Sequence, residues 1–303
     1  MFLSPKVVYG QEFEQWYTGS LLSPSGALFH KGDIAIEPYL SAQLSNANFD
    51  KAGSKQRAGV HSRRVVNDTL YKYAITNNLS IQALPDVSLW QSEGRSKKSA
   101  PSIGDLPIDV VVRFLDINWG YVHPAFNLFV GAGFPTGRYD DLRDPRLSVG
   151  RGAYMGRFAL TEQSSYRTRN GYQLRIRLWL NARQPLGAFA VHGISAYGSQ
   201  SGRVVLGMTA EAGAAVELAI TRRFVLAVDI DHDYAAAGRF YLDGPKTLHA
   251  VHYLSSSSSW NVAPALEYNW SDRFGVIAGA SVVCSGRNTP ASIVPQFAFN
   301  AFF

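Results

Sequence analysis

Arg113, Arg175, Arg177 and Arg183, with Glu37, Asp109, Glu211, Glu217, Asp229 and Asp231, are the side chains whose types and spacing carry the most chemical potential. Each stands at an alternate position between apolar residues, and Asp33, Asp105, Asp233 and Glu267 follow the same rule. Opposed charges gathered on one face need each other or water, because an isolated ion in a dry cavity is very costly. Such a set can brace a wall as arginine–carboxylate pairs, or line a polar path whose transverse field orients a solute. Most of them are read as bracing, and Arg175 and Arg177 are expected to face an open path.

Other chemistry finds weaker footing. His192 with Ser195, and His249 or His252 beside Ser255 to Ser259, could supply a serine–histidine pair. The serine run reads better as a polar loop, since identical neighbours define no single oriented nucleophile, and no G-x-S-x-G elbow occurs. His232 between Asp231 and Asp233 suggests a metal site, but on a strand the histidine faces away from both neighbours, so no metal is expected. Gly131-Ala132-Gly133 falls inside an alternating segment, which removes it as a phosphate loop. Cys284 is the single cysteine, so neither a disulfide framework nor a multi-cysteine zinc module is available.

The elements that must position these residues are strands. In Tyr172 to Arg183, Tyr172, Leu174, Ile176, Leu178 and Leu180 take one face, and Gln173, Arg175, Arg177, Trp179, Asn181 and Arg183 take the other. Phe224 to Tyr234 sets Phe224, Leu226, Val228 and Ile230 against Val225, Ala227, Asp229, Asp231 and Asp233, and Val204 to Ile220 reads the same way as one strand. The pattern predicts twelve strands, near 33–47, 63–76, 79–91, 104–119, 124–136, 155–168, 171–184, 204–220, 223–236, 258–270, 273–286 and 291–303. Compact turns at Thr76-Asn77-Asn78, Asn170-Gly171, Thr221-Arg222-Arg223 and Ser271-Asp272-Arg273 alternate with long polar segments at 92–103, 137–154, 185–203 and 237–257. Strands of a soluble sandwich run to only about 5–6 residues. These lengths predict an all-β, transmembrane, antiparallel up-and-down barrel standing in a bacterial outer membrane.

Composition agrees. The 303 residues are 46% apolar, 13% aromatic and only 17% charged, below the roughly 25% charge of soluble domains. No segment approaches the run of about 18 apolar residues needed for a membrane-spanning helix. The net charge of +6 suits an anionic surface such as lipopolysaccharide, or a path that favours anions. The basic clusters, Arg63-Arg64, Lys97-Lys98 and the arginines from Arg138 to Arg183 mixed with Asp140, Asp141 and Asp144, resemble loops, so no nucleic acid is expected as a partner. Met1 to Gly10 has no basic stretch followed by an apolar core, so an exported protein is expected here without its signal peptide. Ile293, Pro295, Phe297, Phe299, Ala301 and Phe303 form an apolar stripe ending on phenylalanine, which resembles the signal read by the barrel-assembly machinery. The segment 1–32, with Phe13, Trp16, Tyr17, Leu21 and Leu22, shows little alternation and cannot be a lipid-facing strand, so it is set apart from a barrel of 33–303 as a lumen plug or interfacial piece.

Three segments together resemble the bacterial outer-membrane channels grouped as "meta-pathway of phenol degradation" transporters. They are Trp16-Tyr17-Thr18-Gly19-Ser20-Leu21-Leu22-Ser23-Pro24-Ser25-Gly26, with Lys31-Gly32 and Ile36-Glu37-Pro38-Tyr39; Gly104-Asp105-Leu106; and Phe134-Pro135-Thr136-Gly137-Arg138-Tyr139-Asp140. The resemblance implies a monomeric twelve-stranded barrel whose N-terminal segment enters the lumen, with Phe13, Trp16 and Tyr17 at the plug or constriction. It also implies passage of small, hydrophobic or aromatic solutes. Pro135, Thr136 and Gly137 are read as a strand end, where proline cannot donate to the ladder and glycine permits the turn. The expectation is a passive outer-membrane channel for small-molecule uptake through a constricted, charge-lined lumen, with no cofactor and no enzymatic step. The alternatives are an outer-membrane lipid hydrolase of the deacylase or phospholipase type, which needs a serine–histidine pair facing the membrane, and a structural or adhesive barrel without a pore.

Overall fold

In the computed structural model the chain is described for residues 16–28, 30–93, 97–98, 101–117, 119, 122–168, 172–243 and 250–303. Among these described residues the secondary structure is all β apart from one short 3-10 turn at Pro145–Leu147. The strands are β1 (Ile34–Phe49), β2 (Lys55–Ala74), β3 (Leu79–Ala83), β4 (Asp86–Glu93), β5 (Lys97–Lys98), β6 (Ser102–Ile103), β7 (Leu106–Asp116) and β8 (Val122–Phe134). They continue as β9 (Met155–Arg167), β10 (Gln173–Pro185), β11 (Phe189–Val191), β12 (Gly202–Val205), β13 (Thr209–Ala219), β14 (Phe224–Ala235) and β15 (Gly238–Leu242). The last are β16 (Val251–Leu254), β17 (Ser257–Asn269), β18 (Phe274–Arg287) and β19 (Thr289–Phe302).

Twelve staves close a barrel in the order β1, β2, β3 with β4, β7, β8, β9, β10, β13, β14, β17, β18 and β19, each antiparallel to the next. Closure comes from β1 against β19, where Ala35 lies opposite Phe302, and the amides of Ile34 and Phe303 donate to each other's carbonyls. A closed barrel leaves no unpaired edge, which hydrocarbon would not tolerate.

The alternation dictates the wall. Leu178, Leu180, Leu226, Val228, Ile230 and Leu266 stand outward and exposed, while their chain neighbours Arg177, Trp179, Val225, Ala227, Asp229 and Glu267 are buried. At the tight-turn end the outer face carries a contiguous ladder of rings, Phe224 to Tyr268 to Trp270 to Phe299, joined by Phe274 and Phe303. At the other end Phe134 meets Tyr154 and His232 meets Trp260. These are the two aromatic girdles of a membrane barrel.

The tight turns share one device. Thr76, Thr221 and Ser271 each accept, on the hydroxyl oxygen, the amides two and three residues further on. A hydroxyl that satisfies two turn amides lets four residues reverse the chain without orphaned donors.

The chain departs from the sequence expectation at four places. The expected strand 79–91 is two strands, because Pro85 cannot extend the ladder: β3 pairs with β2 and β7, whereas β4 pairs with β2 and β6. The expected strand 204–220 is also two. Val204 is fully buried in a separate small sheet, the chain crosses at Gly207, where a side chain would collide with the Ala236 carbonyl, and β13 begins at Thr209. The polar segments 185–203 and 237–257 are not wholly irregular, since they contribute the four-stranded sheet β11–β12–β15–β16, with Val191, Val204 and Phe240 at its core. Finally, β1 and β2 run beyond their expected ends into a long hairpin closed by Asp50, whose carboxylate accepts from the amides of Ala52 and Ser54. Those backbone donors hold its acid group below the usual carboxylate range.

Candidate functional site: the barrel interior

Residues 16–28 lie against the inward side chains near the tight-turn end and touch staves all round the wall. The amides of Thr18 and Gly19 donate to the Glu267 carboxylate at 2.7 and 3.3 Å, and the Leu22 amide donates to Asp229 at 2.8 Å. Further along, the Ala27 amide donates to Asn127 and the Leu28 amide to the Ser80 hydroxyl. Running the other way, Lys72 Nζ donates to the carbonyls of Ser25 and Gly26, both at 2.7 Å, and to the Ser25 hydroxyl at 2.8 Å. Arg113 Nη2 donates to the carbonyls of Ala27 and Leu28 at 2.6 and 2.7 Å. The irregular backbone, which has no ladder of its own, is satisfied by charged and neutral polar side chains from the staves. Irregular chain at membrane depth is tolerated on that condition.

The rings of this segment sit on cations. The Arg175 guanidinium lies 3.8 Å from the Tyr17 ring centroid and that of Arg222 lies 4.3 Å from Trp16. The Trp16 carbonyl accepts from the Asn269 amide. Phe13 lies outside the described residues.

Several of the remaining sequence-selected charges have a partner in the wall. Glu217, fully buried, takes both Arg175 and Arg177. Asp109 forms a fork with Arg157, at 2.7 and 3.2 Å, and accepts from Gln82. Glu37 accepts from the Tyr39 hydroxyl. Glu211 accepts from the Trp179 indole at 2.7 Å, and Asn261 donates to both Asp231 and Asp233 at 2.9 Å. Arg175 and Arg177 point inward, where Glu217 takes up both and the Tyr17 ring lies on Arg175, and neither is among the residues that line the two cavities described below. Arg183 does border one. Lys72, Arg157, Asn127, Asn261 and Asn269 escaped the sequence reading, although their inward parity was a usable signal.

Above the N-terminal segment, toward the long-loop end, two cavities adjoin. The lower, of about 390 Å³, has Leu21 and Leu22 in its lining, with Asp231, Asp233, Glu211 and Asn261. The upper, of about 260 Å³, is bordered by Arg151, Arg183, Glu211 and Asp233. Glu211, Asp233, Ser259 and Thr289 belong to both.

Gly104, Asp105, Thr136 and Gly137 come together outside the lumen. Asp105, expected to point inward, instead accepts from the amides of Gly137 and Arg151 at 3.0 and 2.8 Å, while the Thr136 hydroxyl donates to the Gly104 carbonyl at 2.7 Å. A side chain at Gly137 would sit 2.7 Å from Gly150 and 2.8 Å from Gly104. Pro135 ends β8 just before this knot.

No serine–histidine pair forms among the described candidates. His192 is exposed and its Nδ1 lies 3.1 Å from Asp140, whereas Ser195 is fully buried and bonded to Gly198 and Tyr197. His252 is exposed on β16, and His249 lies outside the described residues. His232 stacks on Trp260 on the outer face, away from Asp231. Among the described residues no three His, Cys, Asp or Glu side chains are grouped to hold a metal.

An apolar outer wall edged by aromatic girdles, closed around a charged interior, defines a bacterial outer-membrane β-barrel. No family model and no curated protein sequence matches the chain. Among solved structures, an outer membrane channel from Pseudomonas putida F1 is similar over 93% of this chain and 100% of its own, with a TM-score of 0.71 and 14% identity. The translocator domain of the autotransporter NalP from Neisseria meningitidis (TM-score 0.43, 13% identity, covering 89% of this chain and 88% of its own) and the Ralstonia pickettii toluene transporter TbuX (0.40, 10%, covering 90% of each) are more distant barrels.

Proposed function

We propose that the protein is a passive outer-membrane channel for small molecules, constricted by its own N-terminal segment. The observation that carries the reading is the pair of adjoining cavities lined by charge above residues 16–28. In this reading residues 1–32 form a lumen piece and 33–303 the barrel. Trp16 and Tyr17 narrow the path, and Arg183, Glu211 and Asp231 line its open part. Arg113, Arg175, Arg177, Glu37, Asp109, Glu217 and Asp229 brace the wall and hold the segment. The same fold in an outer membrane channel of Pseudomonas putida F1 is consistent with this. Transport needs no cofactor and no covalent step; the gradient drives it, and bore and lining charge select. The Asp105 knot holds the outer loops. The strand ending at Phe303 is read as the element the barrel-assembly machinery engages, and the exposed loop arginines as contacts for lipopolysaccharide phosphates.

Single-channel recording of the refolded protein in a planar bilayer tests the proposal, with folding monitored separately by the heat-dependent gel shift of intact barrels. Discrete conductance steps are expected, and deleting residues 16–28 should enlarge them. A folded protein that stays silent both with and without the segment would overturn the channel reading.

A further inference from the structure

We infer that the lower cavity is a binding site for small organic cations that carry an apolar body, such as aryl or alkyl amines. The inference rests on the channel reading for its physiological use, though the binding itself can be measured without transport. The chain is basic overall, with a net charge of +6, yet among the described residues this chamber is lined by Glu211, Asp231 and Asp233 and by no lysine or arginine. Among the described residues no basic side chain reaches within ion-pair distance of these three carboxylates, in contrast to Asp109 and Glu217. Arg151 and Arg183 stand in the upper cavity, beside Glu211.

A second observation is independent of the acidity. Asp231 is 4% exposed, and its Oδ1 has no hydrogen-bond partner, while its Oδ2 is held by Asn261. A buried carboxylate oxygen left unsatisfied is costly, and since this oxygen is closed off from the chamber that Asp231 lines, a cation would satisfy it by way of a turn of the carboxylate toward that space. The Asn261 amide donates to Asp231 and Asp233 together. It thereby sets two carboxylates side by side on one strand face, close enough to share a single ammonium or amidinium. The rest of the wall explains the apolar body, because Leu21, Leu22, Val283 and Val294 line the same space. A bare metal ion fits less well, since no three acidic or imidazole groups are grouped for one among the described residues.

Calorimetric titration of the detergent-folded full chain with benzylamine, cationic at neutral pH, and with the similarly shaped neutral benzyl alcohol tests the inference. Benzylamine is expected to bind and benzyl alcohol to bind far more weakly. Asp231→Asn/Asp233→Asn should weaken benzylamine roughly tenfold or more, the size expected for losing a charge-assisted hydrogen bond. Asp233→Asn alone, at the less buried of the two positions, decides the matter if the double variant fails to fold. No binding of benzylamine, equal binding of the two probes, or binding unchanged in the folded variants would overturn the site. Benzylamine should also block single-channel current. Charge-selective binding to a protein that carries no current would keep the site and remove the channel, and current with no benzylamine binding would do the reverse.

Discussion

Lys72 is fully buried at 2% exposure and gives all three of its donors to one turn of the N-terminal segment, which makes it the clamp with the clearest consequence. Hydrogen bonds to a charged group contribute about 1.5–3 kcal/mol each. Lys72→Met, which removes all three, should therefore loosen residues 25–26 by at least the value of one such bond while filling the same space, seen as larger and noisier conductance steps from a barrel that still folds. Arg175 behaves differently, because its charge partner Glu217 is part of the wall, with Tyr17 of the N-terminal segment lying on its guanidinium. Replacing it by glutamate would set three carboxylates together, the new one beside Glu217 and Glu267. Breaking a buried pair costs about 3–5 kcal/mol, so Arg175→Glu should lower the urea midpoint of refolded protein sharply. Arg175→Met should cost less than Arg175→Glu, since Glu217 keeps Arg177 as its partner and no third carboxylate is added.

At the scale of elements, one carboxylate ties the two ends of the outer loop together. Asp105 takes the amides of Gly137 and Arg151, one at each end of the stretch that leads from β8 to β9. Asp105→Ala should free that stretch and make it the first site cut in limited proteolysis, with the barrel midpoint in urea moved by no more than about 1 kcal/mol. The staves themselves were legible because period-2 alternation over ten or more residues is a strand signature: all of Tyr172–Arg183 but its first residue falls inside β10 and all of Phe224–Tyr234 inside β14, with the faces assigned. The small sheet was not, for two physical reasons. Its strands are three to five residues long, too short for a period to register. At Gly207 the buried parity passes from Val204 to the odd-numbered residues Ala215 and Glu217, while the apolar character of both stretches continues unbroken. In the interior, alternation revealed which residues point inward but not which of them meet. Arg157 reaches Asp109 across β8, and Asn261 joins Asp231 to Asp233, pairings that only the register of neighbouring staves determines. Asp105 was misassigned for a related reason: it stands just before β7, where strand parity no longer applies.

For the whole molecule, everything turns on which face of the wall meets lipid, since alternation by itself has no inside. The aromatic girdles and the buried charges agree that Val228 faces outward, half exposed in the middle of β14 between Val216 and Pro264. An arginine on the lipid face near the midplane of a membrane barrel costs about 2–4 kcal/mol, and near the interfaces about 0–1 kcal/mol. Val228→Arg should therefore lower folding stability in vesicles by about 2–4 kcal/mol, whereas Ser257→Arg, on the border of the upper cavity, should cost less than about 1 kcal/mol because its guanidinium reaches water and Glu211 or Asp233. Transfer to a detergent micelle, which deforms and hydrates more readily than a bilayer, should narrow the gap between the two variants. Equal costs in vesicles would mean that the apolar face of β14 does not lie against hydrocarbon, and the cavities described here would then have to be read as the core of a soluble barrel. The charges inside argue the other way: a soluble barrel would have no reason to bury Glu217, Asp229 and Glu267 while leaving Leu226, Val228 and Ile230 exposed.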